Sequence, residues 1–343
     1  MLFERVRIAS VAHTLPEEST SSADIEARLL PLYERLKLPE GRLELMTGIR
    51  ERRFFEPGTL PGDVSIKTAE RAIGASRIDP SAFGACIHGS VCRDCLEPAT
   101  ACRVHDALGL PPRCVVQDVS NACLGVLSGA LQIATMIECG QINAGVVVGT
   151  ETGRELVENT IAKLNADDTL TRDTIKDSVA SLTIGSASAA MVLCHERLAA
   201  DGGRLVAASC HAETQHHQLC HSEGLAQVMH TDSERLMRAG VAAGVENFAA
   251  LIGECGWERE EIARTFCHQV GSAHRKMMLS ELGLPIDRDY ATLDWLGNTG
   301  AAALPATLSL GVEQGAVEAG DKIALLGIGS GVNCLMMAVE WLG

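Results

Sequence analysis

Apolar positions along the chain alternate between two spacings. Short, nearly continuous apolar runs bounded by Gly, Asp or Asn predict buried strands at 6–12, 85–90, 113–119, 144–149, 187–193 and 204–209, and again at 265–268, 290–294, 323–328 and 335–340. Between them, apolar residues recur at helical spacing over 22–36, 66–76, 99–108, 124–138, 231–255, 272–282 and 301–314. Alternating buried strands and helices predict an α/β fold. The polar, Asp- and Thr-rich segment 151–181 breaks this rhythm and reads as an insertion serving as a cap or subunit contact.

The pattern also repeats. Leu108-Gly109-Leu110-Pro111 leads through a strand to Cys123, and Leu282-Gly283-Leu284-Pro285 leads through a second to Asn298. Upstream, the run from Ile78 to His88-Gly89 matches that from Trp257 to His268-Gln269; downstream, 142–149 matches 322–329. So long a spacing implies two similar halves packed together, not a solenoid. We divide the chain at 1–200, a half carrying the cysteine and the insertion, and 201–343, a half carrying the histidine and asparagine.

Cys123 lies between a short strand and a helix that starts almost at once. A thiol there faces the positive end of the helix dipole, so a favoured thiolate and nucleophilic chemistry are expected. The chain has 13 cysteines, an odd number at irregular spacing, which predicts reduced thiols in a cytoplasmic protein. The N-terminus has no secretory pattern, and no run is long enough for a transmembrane segment. A formal charge of −15 without clustered Lys and Arg excludes non-specific nucleic-acid binding. It leaves an anionic substrate to a local basic patch, for which Arg275 and Lys276 are candidates. Cys92-Arg-Asp-Cys95 has redox or zinc spacing but no second pair, and His211, His216, His217, Cys220 and His221 crowd one segment. No metal and no cofactor are expected from either.

Together, Asn121-Ala-Cys123-Leu-Gly, Cys267-His268-Gln269-Val, Gly297-Asn298-Thr299-Gly and Gly327-Ile-Gly329-Ser-Gly331-Val resemble the thiolase superfamily, in its ketoacyl-ACP synthase III branch. The segment from Ser90 to Pro98 most resembles the OleA-type enzymes, which condense two acyl chains head to head. The resemblance implies a thiolase fold, two duplicated α/β halves in an αβαβα layering, acting as a homodimer on acyl-CoA or acyl-ACP thioesters, with downstream enzymes as further partners. It makes Cys123 the nucleophile holding the first acyl chain and His268 and Asn298 the donors to the enolate oxygen. The backbone N–H groups of Cys123 and Gly331 become the thioester's oxyanion hole.

Glu97 separates reaction subtypes. A decarboxylating synthase needs no carboxylate base, whereas joining two unactivated acyl groups requires removal of an α-proton. In OleA-type enzymes the matching glutamate enters the neighbouring subunit's site. The carrier-dependent synthases' His-Gln-Ala-Asn is here His268-Gln269-Val270-Gly271, which weakens a malonyl-ACP assignment. Claisen condensation of two acyl-CoAs is the leading reading. Decarboxylative synthesis, a non-condensing acyltransferase and an acyl-binding paralogue remain alternatives.

Overall fold

The computed structural model describes residues 1–222 and 229–343. Its main sheet has nine strands: Val6–Thr14 (β1), Phe83–Gly89 (β2), Val115–Val119 (β3), Ala144–Glu151 (β4), Ala187–His195 (β5), Gly203–Ala212 (β6), Ile262–Cys267 (β7), Lys322–Gly329 (β8) and Asn333–Trp341 (β9). The order is β7-β8-β9-β6-β1-β5-β4-β2-β3. Strand β2 runs parallel to β3 and β4, and β7 to β8; the other neighbours are antiparallel.

Read outward from the middle, β1-β5-β4-β2 on one side repeats as β6-β9-β8-β7 on the other. Within the strands the two sides join through the pairs Arg7↔Arg204 and Ile8↔Gly203, and the residues leading into β1 add a bridge from Leu2 to Ala207. The duplication is therefore visible in strand order. One expected strand is missing: 290–294 is not a counterpart of β3. Asp289 makes an isolated bridge to Thr265, and the chain then turns into the short helix Leu293–Leu296. Polar anchors replace the ladder there, with the Thr265 hydroxyl donating to Asp289 and the Thr292 N–H donating to Gln269.

Seven helices matter for the site: Pro61–Ser76 (α1), Thr100–Ala107 (α2), Gly125–Glu138 (α3), Arg154–Ala166 (α4), Ser233–Cys255 (α5), Ser272–Leu282 (α6) and Ala303–Glu313 (α7). Alternation along the strands sorts them into layers. Ile323 and Leu325 face a core with Leu124, Leu127, Leu304 and Leu308, while Ala324 and Leu326 face α5 and α6. In the first half Ile87 and Val147 join the same middle core, and Cys86, Val146 and Val148 face α1 and α2. Helices α3 and α7 thus form a middle layer between the two halves of the sheet, giving the αβαβα layering.

Helix α4 packs Val157, Ile161 and Leu164 against Ile25, Leu29 and Leu32 in a separate small core. The expected helix over 22–36 divides there into Ser22–Arg28 and Leu30–Leu36. Pro31 lacks the N–H that a continuous helix would use.

Candidate active site

Cys123 is held on a tight turn between β3 and α3. Ala122 before it takes φ +44, a left-handed conformation that a non-glycine residue adopts at a cost of about 1–2 kcal/mol. The turn is fixed from both halves: Asn121 Nδ2 donates to Ser128 Oγ at 2.9 Å, and Asn333 Nδ2 donates to Asn121 Oδ1 at 3.2 Å. Helix α3 starts so close to β2 that a Cβ on Gly125 would lie 2.7 Å from the Gly89 carbonyl carbon. Glycine at both positions lets the backbones touch and brings the turn over the strand ends.

His268 follows β7 and is tied to β8 by its N–H, which donates to the Leu326 carbonyl at 3.0 Å. Asn298 precedes α7. Its N–H donates to Thr183 O at 2.9 Å, and its Oδ1 accepts from the Gly300 N–H at 3.0 Å, leaving Nδ2 to donate elsewhere. Cys123, His268 and Asn298 line one cavity of about 1370 Å³, with Ile328 and Gly329 at the end of β8. That volume exceeds the roughly 300–1,000 Å³ of ordinary ligand pockets. Both ring nitrogens of His268 are buried without a hydrogen-bond partner among the described residues, so both are free for a ligand.

Electrostatics correct one expectation. Burial, reinforced by the Glu151 carboxylate and the Cys220 thiol, pushes the Cys123 thiol up to about 12. At rest Cys123 is a thiol, because desolvation outweighs the dipole of a helix that starts two residues later. Burial, with His274 adding to it, holds the His268 imidazole down at about 3. A neutral ring offers one N–H donor and one lone pair that can receive the thiol proton.

Glu151, at the end of β4, was hidden in what the sequence presents as the insertion. It is buried in this cavity and accepts from the N–H groups of Val91 at 3.0 Å, Cys92 at 3.2 Å and Ala301 at 3.2 Å. Burial raises its carboxyl above the ordinary range, and these donors with the Cys92 thiol pull the other way. Sequence reasoning missed it, along with the cavity-lining His274 and the placement of Cys220. The available signal was an acid two residues beyond the apolar run 144–149.

The remaining predicted residues are dispersed. Glu97 is exposed and does not line the cavity of its own chain. Gly331, at φ +138, sits in the turn after β8. Its N–H has no backbone acceptor among the described residues, and that of Cys123 faces its own thiol. Arg275 does not reach the cavity: it pairs with the fully buried carboxylate of Asp289 and donates to the Asp289 carbonyl at 2.9 Å. Lys276 is exposed and also off the cavity. The proposed basic patch is therefore corrected for Arg275, whose charge a buried acid already uses. The Cys92 thiol accepts from the Thr152 N–H at 3.4 Å, and Cys95 is exposed. His211 pairs with Glu213, and His221 stacks on His230. Among the described residues no three His, Cys, Asp or Glu are grouped to hold a metal.

Comparison with known proteins places the fold and sequence in one family. A profile for the thiolase N-terminal domain matches residues 51–204, and one for the C-terminal part of 3-oxoacyl-[acyl-carrier-protein] synthase III matches 252–341. An acyl-CoA:acyl-CoA alkyltransferase of Shewanella oneidensis is 40% identical over 99% of this chain and 100% of its own length. One from Xanthomonas campestris pv. campestris is 34% identical over the same shares. A crystal structure of Xanthomonas campestris OleA with bound lauric acid and lauroyl-CoA superposes with a TM-score of 0.94 at 34% identity, covering 99% of this chain and 100% of that one. A cerulenin-bound form gives a TM-score of 0.95 at 34% identity, covering 99% and 98%. By fold, sequence and cavity, the chain belongs to the thiolase superfamily, in the ketoacyl synthase III-like branch of OleA-type acyltransferases.

Proposed function

We propose that this acyltransferase joins two acyl-CoAs by Claisen condensation through an acyl-Cys123 intermediate. The observation that carries the reading is the single large cavity holding Cys123, His268 and Asn298 together. In the first half-reaction Cys123 Sγ attacks the thioester carbonyl of one acyl-CoA, and His268 takes the thiol proton and returns it to the departing CoA thiolate. The tetrahedral oxyanion is received by the N–H groups of Cys123 and Gly331. In the second, a carboxylate removes an α-proton from another acyl-CoA, and the enolate oxygen accepts from His268 and Asn298 Nδ2. The enolate carbon attacks the acyl-cysteine carbonyl, the C–S bond breaks, and a β-ketoacyl-CoA leaves, which hydrolysis converts to the β-keto acid.

Glu97 is the proposed base, delivered from a partner subunit. It is exposed in its own chain, next to Leu96 at 78% exposure and in a loop beginning at Val91 at 48%. The sheet ends at β3, whose Val115 is 42% exposed and whose outer edge has no neighbour among the described residues. An unpaired edge beside exposed apolar side chains suits a second copy. In the OleA structures carrying substitutions, the replaced glutamate stands twenty-six positions before the replaced cysteine, the separation of Glu97 from Cys123.

The test is incubation of the pure protein with tetradecanoyl-CoA alone and then with malonyl-CoA or malonyl-ACP, with products identified by mass spectrometry. A β-keto product from the first mixture is expected. Product only with a malonyl donor makes the enzyme a decarboxylative synthase instead.

A further inference from the structure

One stretch of the cavity wall is built from α5, α6 and the end of β8. Leu236, Met237, Gly240, Val270 and Ile328 line it without offering a side-chain hydrogen bond. The exception is His274, in the first turn of α6. Its side chain is half-buried in the cavity wall, and desolvation holds the imidazole down at about 4, so the ring is neutral, with one N–H and one lone pair. Among the described residues neither ring nitrogen has a partner. Across from it, a Cβ on Gly240 would sit 3.9 Å from His274 Nε2 and 3.4 Å from Ile328 Cγ2. The glycine therefore leaves a recess beside the ring nitrogen.

An imidazole without a protein partner in an apolar stretch of wall gains nothing there unless something in the cavity bonds to it, and an aliphatic side chain would fill the place as well. The condensation chemistry uses His268 and assigns nothing to His274. We propose that His274 is a polar subsite for an oxygenated acyl chain: a hydroxyl or keto oxygen on one of the two chains enters the recess beside Gly240 and hydrogen-bonds to the imidazole. This rests on the reading that the cavity holds acyl chains. A hydroxyl suits best, since it can donate to the lone pair or accept from the N–H. A saturated chain leaves the imidazole unpaired, and a site built to bond an oxygen discriminates against the analogue lacking it.

The test measures kcat/KM for tetradecanoyl-CoA and for its 3-, 5- and 7-hydroxy derivatives, with acylation of Cys123 followed by intact mass. Wild-type enzyme should prefer at least one hydroxylated chain by about tenfold, the worth of one buried hydrogen bond. H274L should reverse the ratio, gaining on the saturated chain and losing on the hydroxylated one, while H274Q, which keeps a donor and an acceptor, should retain part of the preference. Equal use of all four chains by wild type, or a preference that survives in H274L, overturns the subsite. Absence of any acyl-Cys123 overturns the underlying condensation reading instead.

Discussion

Replacing Glu151 by Gln removes one negative charge beside Cys123 at almost constant volume, and it separates two effects of that carboxylate. Every contact the two oxygens make is with a donor, Oε1 with the N–H groups of Val91 and Ala301 and Oε2 with that of Cys92. The group is thus placed to accept from three backbone donors, although burial raises its carboxyl above the ordinary range. In the amide, one oxygen becomes an NH2, and with the remaining oxygen at the Oε1 place the Cys92 N–H faces another donor. Losing one charge-assisted bond and stranding one buried N–H costs about 2–4 kcal/mol. For a chain of this size that lowers Tm by about 3–6 °C. Removing the charge also relieves the Cys123 thiol, whose high value Glu151 supports. At pH 8 its alkylation by iodoacetamide should accelerate by about tenfold. Condensation should slow by about tenfold, because Val91 begins the Glu97 loop and Ala301 follows Asn298. The assay is intact-mass alkylation against pH beside product formation. Alkylation that is unchanged, or that falls together with condensation, refutes the electrostatic link between Glu151 and Cys123.

Three further outcomes are expected. His268 and His274 are depressed to about 3 and about 4 from 6.5, so the stability they contribute is present above pH 6.5 and is lost as pH falls toward their folded values; at pH 5 each should have cost about 2 kcal/mol, read as a drop in Tm between pH 7 and pH 5. Glu97→Ala should acylate Cys123 yet form no carbon–carbon bond. Mixed with Cys123→Ala after subunit exchange, it should recover about a quarter of wild-type activity, and no recovery argues against a base supplied across the dimer. Gly125→Ala drives a Cβ into the Gly89 backbone and should cost about 1–3 kcal/mol while slowing acylation, as seen by thermal melting and intact mass.

Cys123, His268 and Asn298 were legible because they stand at matching places in a repeated pattern, the first two after strands and Asn298 after the segment that replaces one. Glu151 was not, because it closes an apolar strand and opens a polar stretch, and its side chain turns inward where composition suggests solvent. Helix α6 misled in the opposite direction. Arg275 and Lys276 attracted attention as charges, but Asp289, invisible as a buried acid in sequence, neutralises the first. His274, adjacent to Arg275 on the same helix, gave no signal, because sequence does not show that Gly240 stands opposite it. The strand expected at 290–294 failed because β-propensity cannot report that Asp289 and Gln269 hold that segment by side chains instead of a ladder.

The middle layer has a consequence for how the molecule comes apart. Leu124 and Leu127 from one repeat and Leu304 and Leu308 from the other bury each other, so neither lobe retains a closed interior when separated. Melting should be one cooperative event and not two, and expressing either lobe alone should yield an insoluble fragment, since each would expose the apolar seam it shares with the other.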